Sequence, residues 1–350
     1  MLSTIQRVTK RPFMILSLIL AMGLASCSLG AKPLQRYEQR FFDLFNTASQ
    51  IQGFAHSEAE FAEAASAIHE DLIFTHRLFN RHELYDDVKN IAYLNEHASE
   101  APVPVDPLLF DLIQFSLDAY DFTNGAFHPG LGKATTLWEA ARDIQKPPPS
   151  SELSPILEHI DTAVIELDEA AKTVFFHDAE FELDLGAIAK GYAAEYVAVR
   201  AEERGASNIL LNLGGNLRTI GMRDSDDSGE AEAWRIGIRD PRAEGPKMAL
   251  DLYEGSLVTS GDYERVFTYE GKRYHHILDP TTLMPTESYQ GVTIYHPDSG
   301  LADVLSTAFF NLSVEEGSDL VESMGGEAFW ILSDGTEGET SGLTEMRSKR

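Results

Sequence analysis

Gly300-Leu301-Ala302-Asp303-Val304-Leu305-Ser306-Thr307-Ala308 follows a strand-like run at 291–295, and its reading organises the rest of the chain. The spacing predicts a helix from Leu301. Positions i and i+4 of a helix share a face, so Asp303 and Thr307 point the same way. A carboxylate and a hydroxyl so placed suit a small hard cation such as Mg²⁺, which takes oxygen ligands and completes its shell with water and phosphate oxygens. An acid near a helix start is also a common cap or dipole partner. The pair therefore gains meaning only beside three other segments.

The first of these, residues 184–193 (DLGAIAKGYA), reads as a strand–helix joint. Its small residues let a ligand approach the backbone, and a helix N-terminus offers free N–H groups and positive potential to a phosphate. Lys190 adds a mobile cation one turn in, and Asp184 closes the preceding strand. In the second, residues 211–217, Gly214-Gly215 sits between apolar strands, as a hairpin turn or a close backbone approach. The third is a hairpin bracketed by 258–263 and by Arg273-Tyr274-His275-His276-Ile277-Leu278-Asp279-Pro280. Neighbouring strand residues face opposite ways, so one of His275 and His276 is expected in a site. An imidazole there can take a proton near neutral pH.

The N-terminus reads as an export signal. Arg7, Lys10 and Arg11 precede an apolar run at 12–24, which ends in Leu24-Ala25-Ser26-Cys27. That run is too short for an ordinary spanning helix, and the ending resembles a bacterial lipobox. Residues 1–27 are thus expected to be a lipoprotein signal, with Cys27 lipidated and the protein anchored to a bacterial membrane, facing the periplasm or cell exterior. Cys27 is the single cysteine, so no intramolecular disulfide and no cysteine metal cluster can form. The 350-residue chain carries a formal charge of −28, which becomes −31 without residues 1–26, since these hold three basic residues and no acidic ones. Nucleic acid is excluded as a non-specific partner. A phosphate ligand would need local cations or a metal. The 43% hydrophobic and 10% aromatic content marks a folded globule.

Helices are predicted at 58–79 and 105–120, the latter with Asp106-Pro107 as cap and first turn, and at 187–204 and 317–324. Strands are predicted at 41–54 (with a turn near Gly53), 164–167, 173–176, 180–185, 208–213, 217–221, 234–239, 248–252, 257–259, 265–269, 273–277, 291–295 and 328–332. Residues 146–151 form either a boundary between lobes or an exposed excursion. Residues 28–36 read as a tether, and 334–350 as a polar, frayed tail. The expected class is α+β (mixed α/β): mixed and antiparallel strands with packed helices, in two intimate lobes around a cleft.

Taken in order, the motifs DLGAIAKGYA (184–193), LLNLGGNLRTIG (210–221), TSGDYERVF (259–267), YHHILDP (274–280) and ADVLSTA (302–308) resemble those of the ApbE family of FAD:protein FMN transferases. The resemblance spans about residues 37–333. It implies Mg²⁺-dependent transfer of FMN from FAD to a Thr or Ser hydroxyl of an acceptor protein, with release of AMP. The acceptor class it implies is a membrane redox subunit, as in Na⁺-pumping quinone reductases or Rnf-type complexes. It further implies that the Ala187 carbonyl, Asp303 and Thr307 ligate Mg²⁺ with Ser306 nearby, that Asp184, Lys190 and Leu278 contact FAD, and that His276 is the base. The segment 123–129, holding Ala126, Phe127 and His128, is similar to the family's flavin loop, with His128 where Asp or Asn is common. His82 stands where the family has a flavin-stacking aromatic, with Tyr85 as a substitute. Two other activities fit the same motifs: FAD pyrophosphatase action, with water as acceptor, and flavin capture by a non-catalytic lipoprotein.

Overall fold

The computed structural model describes residues 33–224 and 231–349. The expected signal, Cys27 and residues 28–32 of the tether lie outside these. Eight strands among the described residues form one sheet whose spatial order is the chain order: β1 (Gln35–Phe41), β2 (Ser49–Ala55), β3 (Ile209–Leu213), β4 (Asn216–Ile220), β5 (Ser256–Gly261), β6 (Tyr289–His296), β7 (Glu327–Leu332) and β8 (Glu337–Glu339). Every pairing is antiparallel. The other elements are insertions between neighbouring strands. The longest joins β2 to β3 and carries helices α1 (Glu58–Leu78), α2 (Pro107–Phe122) and α3 (Ala189–Glu203). Helix α4 (Ser299–Phe310) lies between β6 and β7.

Alternation along the strands covers both faces of the sheet. Ile209, Leu211 and Leu213 of β3 share a core with Ile68 and Leu72 of α1 and Val197 of α3. Leu210 points the other way, into Trp234, Ile236, Leu250 and Leu252 of the hairpin Trp234–Arg239/Pro246–Leu252. Strand β7 repeats the division. Ala328 and Trp330 pack with Ala302, Leu305 and Phe309 of α4, while Phe329 and Ile331 meet the hairpin. Burial on both faces explains why these strands read as nearly continuous apolar runs.

Helix starts follow the sequence signals. Asp106 caps α2 through the Leu108 N–H, with Pro107 in the first turn. Ser57 caps α1 through the Glu60 N–H. Helix α4 is capped by Asp298, which accepts from Leu301 N at 2.9 Å. Asp303 is therefore free for another task. The 146–151 loop is an exposed excursion, since residues from Pro33 onward form one compact unit.

Several expectations are corrected. The predicted 41–54 strand is two strands. Phe41 ends β1, and the chain turns through Phe45 (φ 54°) and Asn46 (φ 51°) before β2. Neither turn residue is Gly or Pro; Asn46, with Asp43 before it, is the turn signal that the 41–54 reading passed over. Gly53 is no turn: it pairs with Tyr37 and Ile209 inside the sheet. Residues 35–36 of the tether belong to β1. Residues 180–185 are extended but not laddered. Both Leu183 backbone groups are met by the Asn95 amide (N to Oδ1 2.8 Å, Nδ2 to O 3.0 Å), and Asp184 N donates to the Pro129 carbonyl at 2.7 Å. A side chain thus imitates a strand neighbour. The 273–277 strand shortens to Lys272–Tyr274, leaving the histidines just beyond it. The tail is ordered to residue 349: β8 pairs with β7, and Leu343 is fully buried.

Helices α3 and α4 cross at Gly191. A Cβ there would run into the Ser299 carbonyl and lie 2.5 Å from Asp303 Cβ. Glu195, one turn further along α3, ties the same crossing to the sheet. It accepts Ser299 N and Arg218 Nε, each at 2.8 Å, and Arg218 Nη2 at 2.9 Å. Overpacking a closed helix crossing costs about 1–3 kcal/mol. Gly191→Ala is expected to lower unfolding free energy by about that amount in chemical denaturation; an unchanged midpoint would show that the crossing can open freely.

Candidate active site

A cleft of about 640 Å³ opens at the start of α3, bounded by the Phe45–Thr47 turn, the 184–190 joint, the ends of β4 and β5, the two histidines and α4. Charged side chains on its walls are balanced: Arg81, Arg142, Lys190 and Arg265 against Glu139, Asp184, Glu264 and Asp303. In a chain with 56 acidic and 28 basic residues, that is a marked local enrichment of positive charge.

The α3–α4 crossing builds one end. Helix α3 has no cap from its own N-cap residue, Ile188. Asp303 Oδ2 supplies one from the neighbouring helix, accepting Gly191 N at 2.8 Å. The Gly191 N–H therefore does not turn back to Ala187, which lines the cleft. Asp303 is 3% exposed, and Lys190 Nζ stands 3.8 Å from its carboxylate. Burial raises the Asp303 pKa, and Lys190, the Gly191 N–H and the Asn216 amide offset this only in part. The carboxylate is thus short of positive charge. Thr307 is half-buried on the same helix face and also lines the cleft. An acid, an alcohol and a peptide carbonyl form an all-oxygen donor set, which fits a hard divalent cation. Ser306 does not reach this set. It is fully buried, with its hydroxyl bonded to Ser260 Oγ (2.8 Å) and donated to the Asp303 carbonyl (2.9 Å), so it locks α4 to β5.

Asp184 also lines the cleft. Burial raises its pKa, but the charge of Arg81, the Gly186 N–H, Thr135 and His82 together outweigh that and hold it below the usual carboxylate range. Arg81 is a site residue that sequence reasoning missed. Its guanidinium spans Thr136 Oγ1 (2.9 Å), Glu139 Oε2 (3.2 Å) and Asp184 (3.8 Å). The only signal was its place beside His82. His82 lines the cleft 3.9 Å from Glu139. Tyr85 does not line it: its hydroxyl bonds Asn80 and Glu83, both at 3.1 Å, and Arg77 covers its ring.

At the other end Ala126, His128 and Leu278 line the cleft. Phe127 does not; it is 1% exposed and belongs to the core with Phe176 and Phe181. Asn311, the C-cap of α4, joins the two loops by donating Nδ2 to the Ala126 and Leu278 carbonyls at 3.0 and 3.1 Å. It too was missed, because nothing in its sequence neighbourhood marks it.

The two histidines differ in role. His275 is buried, accepting Ile277 N on Nδ1 (3.2 Å) and donating Nε2–H to the Thr286 carbonyl (2.7 Å). Both its nitrogens are used. His276 is open to the cleft, and its Nδ1 lies 3.3 Å from the Glu264 carbonyl. A carbonyl can only accept, so Nδ1 carries the hydrogen and Nε2 keeps its lone pair. The ring is exposed on the cleft wall, yet protein surrounds it. Burial, then the charges of Arg265, His275 and Lys190, push its pKa down to about 3, so the imidazole is neutral.

His128 accepts Gly130 N at 3.1 Å, and burial, opposed by Asp161, lowers its pKa to about 4. The unfolded value is about 6.5. Protonation therefore favours the unfolded chain, and the stability contribution, complete above pH ~6.5, is lost as pH falls towards ~4. His128→Asn is expected to flatten the fall of the denaturation midpoint across that window; parallel curves for variant and wild type would refute the assignment.

The model of the ApbE family matches residues 45–330. The chain is 33% identical over 339 residues to the FAD:protein FMN transferase of Treponema pallidum, covering 92% of this chain and 91% of that one. It is 33% identical over 251 residues to a Klebsiella pneumoniae protein of the same name, covering 69% and 76%. Among solved structures, the ApbE protein of Thermotoga maritima superposes with a TM-score of 0.79 at 29% identity, over 90% of this chain and all of that one. The flavin transferase ApbE of Vibrio cholerae shares the fold, with a TM-score of 0.75 at 22% identity. With more than half its length matched by the family model and a full-length relative at this identity, the chain belongs to the ApbE family.

Proposed function

We propose that the protein transfers FMN from FAD to a Thr or Ser hydroxyl of an acceptor protein and releases AMP, with Mg²⁺ required. The observation that supports this reading is that Ala187, Lys190, His276, Asp303 and Thr307 line one cleft, with Lys190 Nζ 3.8 Å from the Asp303 carboxylate. The names of the relatives support the flavin chemistry. The donor set supports the metal.

The residues divide the work. Asp303, Thr307 and the Ala187 carbonyl would hold Mg²⁺, which when bound neutralises charge on the phosphoryl oxygens. Lys190 and the α3 N-terminus attract the diphosphate into an otherwise acidic protein. Asp184, held ionised by Arg81, accepts a hydroxyl or ring N–H of the dinucleotide. His276 Nε2 takes the acceptor hydroxyl proton. The acceptor oxygen forms a bond to the FMN phosphorus as the bond to the bridging oxygen breaks, and AMP departs with that oxygen. A neutral imidazole is the required starting form of a base. The −2 charge of an arriving diphosphate would raise its proton affinity when it is needed.

We further propose that Cys27 carries the lipid that holds the enzyme at a bacterial membrane surface. Acceptors would then be exposed subunits of membrane redox complexes, of the Na⁺-pumping quinone reductase or Rnf kind.

Incubation with FAD, Mg²⁺ and an acceptor domain is expected to leave covalent flavin on the acceptor. Free FMN without labelling would instead identify water as the acceptor and a pyrophosphatase. Asp303→Ala is expected to abolish Mg²⁺-dependent turnover with the fold retained; undiminished turnover would remove Asp303 from the metal site. His276→Ala is expected to slow transfer by about 10²–10⁴-fold, the usual scale of a general base, while FAD still binds. Lys190→Ala should weaken FAD binding in a direct titration, and an unchanged dissociation constant would take Lys190 out of the site.

A further inference from the structure

His276 is aimed by one weak contact, the Glu264 carbonyl on Nδ1. Glu264 sits in the loop after β5, residues 262–266, where Arg265 adopts φ 46°. Left-handed backbone at a non-glycine residue persists only where surroundings hold it. The loop therefore needs an anchor.

That anchor comes from the opposite side of the sheet. Asp262, 8% exposed, opens the loop and is held at three points. Its N–H donates to the Gln290 carbonyl at 3.1 Å, its carbonyl accepts Arg273 Nη2 at 3.3 Å, and both carboxylate oxygens are gripped by Arg242. Arg242 Nη1 lies 2.9 Å from Oδ1, and Nη2 bonds Oδ2. Arg242 stands in the connection between the strands Trp234–Arg239 and Pro246–Leu252, where Asp240 accepts the Arg242 N–H at 2.8 Å and so fixes its backbone. Arg239 of the same hairpin lies over the Tyr263 ring at 4.8 Å and pairs with Glu264 Oε1 at 3.4 Å. Every residue from 262 to 264 is thus fixed by an arginine of that hairpin, and none of these arginines lines the cleft.

We propose that Arg242 is a positioning residue for flavin transfer: through its paired bonds to Asp262 it sets the loop whose Glu264 carbonyl holds His276 in the Nδ1–H tautomer, leaving Nε2 as the proton acceptor. The hairpin that covers the far face of the sheet then acts at a distance on the site. Two parallel bonds fix orientation as well as distance, which a lysine ammonium cannot reproduce. This inference rests on the reading of His276 as base.

The test is nitrogen NMR of the histidine side chains in the full chain, with the His276 signals assigned by their loss in His276→Gln. The wild type is expected to show the Nδ1–H tautomer. Arg242→Ala and Asp262→Asn should each show a mixture with the Nε2–H tautomer and transfer FMN at least about tenfold more slowly at saturating FAD, about 1.4 kcal/mol. Arg242→Lys should recover part of both. Asp262→Asn keeps the side-chain shape, so it guards against a folding failure of Arg242→Ala. His276 signals unchanged in Arg242→Ala, or a wild-type transfer rate in that variant beside an inactive His276→Gln, would overturn the proposal alone. A His276→Gln variant as active as wild type would overturn the base assignment itself, and the proposal with it.

Discussion

The rest of the site depends on one hydrogen bond, from the Gly191 N–H of α3 to the Asp303 carboxylate of α4. It requires a glycine, because any side chain at 191 meets the Ser299 backbone. It favours a carboxylate, because the first turn of a helix presents unpaired donors and positive potential. Closing it brings the Asp303–Thr307 face of α4 against the Ala187–Lys190 start of α3. Two helices from separate insertions thereby meet on one wall of the cleft.

This arrangement explains how an acidic protein can take an anionic substrate. The global field repels phosphate, but the cleft walls carry as many cations as acids. Within that balance the charges are spatially sorted. Arg81 serves Asp184, Lys190 stands by Asp303, and Arg265 lies near His276 and helps keep it neutral. The buried carboxylate at 303 remains under-compensated. A buried charge without full pairing is costly, and a divalent cation is the natural complement.

Much of this was legible in sequence, and the reasons are local. The i, i+4 relation of Asp303 and Thr307, the strand–helix joint at 184–193 and the His-His-Ile-Leu-Asp-Pro run are contiguous patterns, and each lies on the cleft wall as expected. The antiparallel sheet with packed helices was legible because its strands and turns carry ordinary signals, such as Gly214-Gly215 between β3 and β4, with positive φ at both positions. What failed was non-local. Ser306 has the right chemistry, but Ser260 takes its hydroxyl. Phe127 and Tyr85 have the right type but face the core and the Asn80–Glu83 network. Residues 180–185 alternate like a strand, yet their partner is the Asn95 side chain, which no periodicity shows. Arg81, Arg242 and Asn311 act through partners 55–103, 20 and 33–185 positions away. Residues 334–349 read as polar because the alternation there is short, yet the β8–β7 pairing and the buried Leu343 secure them to the core.

The account turns on where a divalent ion sits. The most direct measurement is the anomalous-difference map of crystals grown with FAD and Mn²⁺ in place of Mg²⁺. A peak bounded by the Asp303 carboxylate, the Thr307 hydroxyl and the Ala187 carbonyl, touching the diphosphate of FAD, is the predicted result. A peak elsewhere, or FAD bound with its diphosphate away from the α3–α4 crossing, would contradict it.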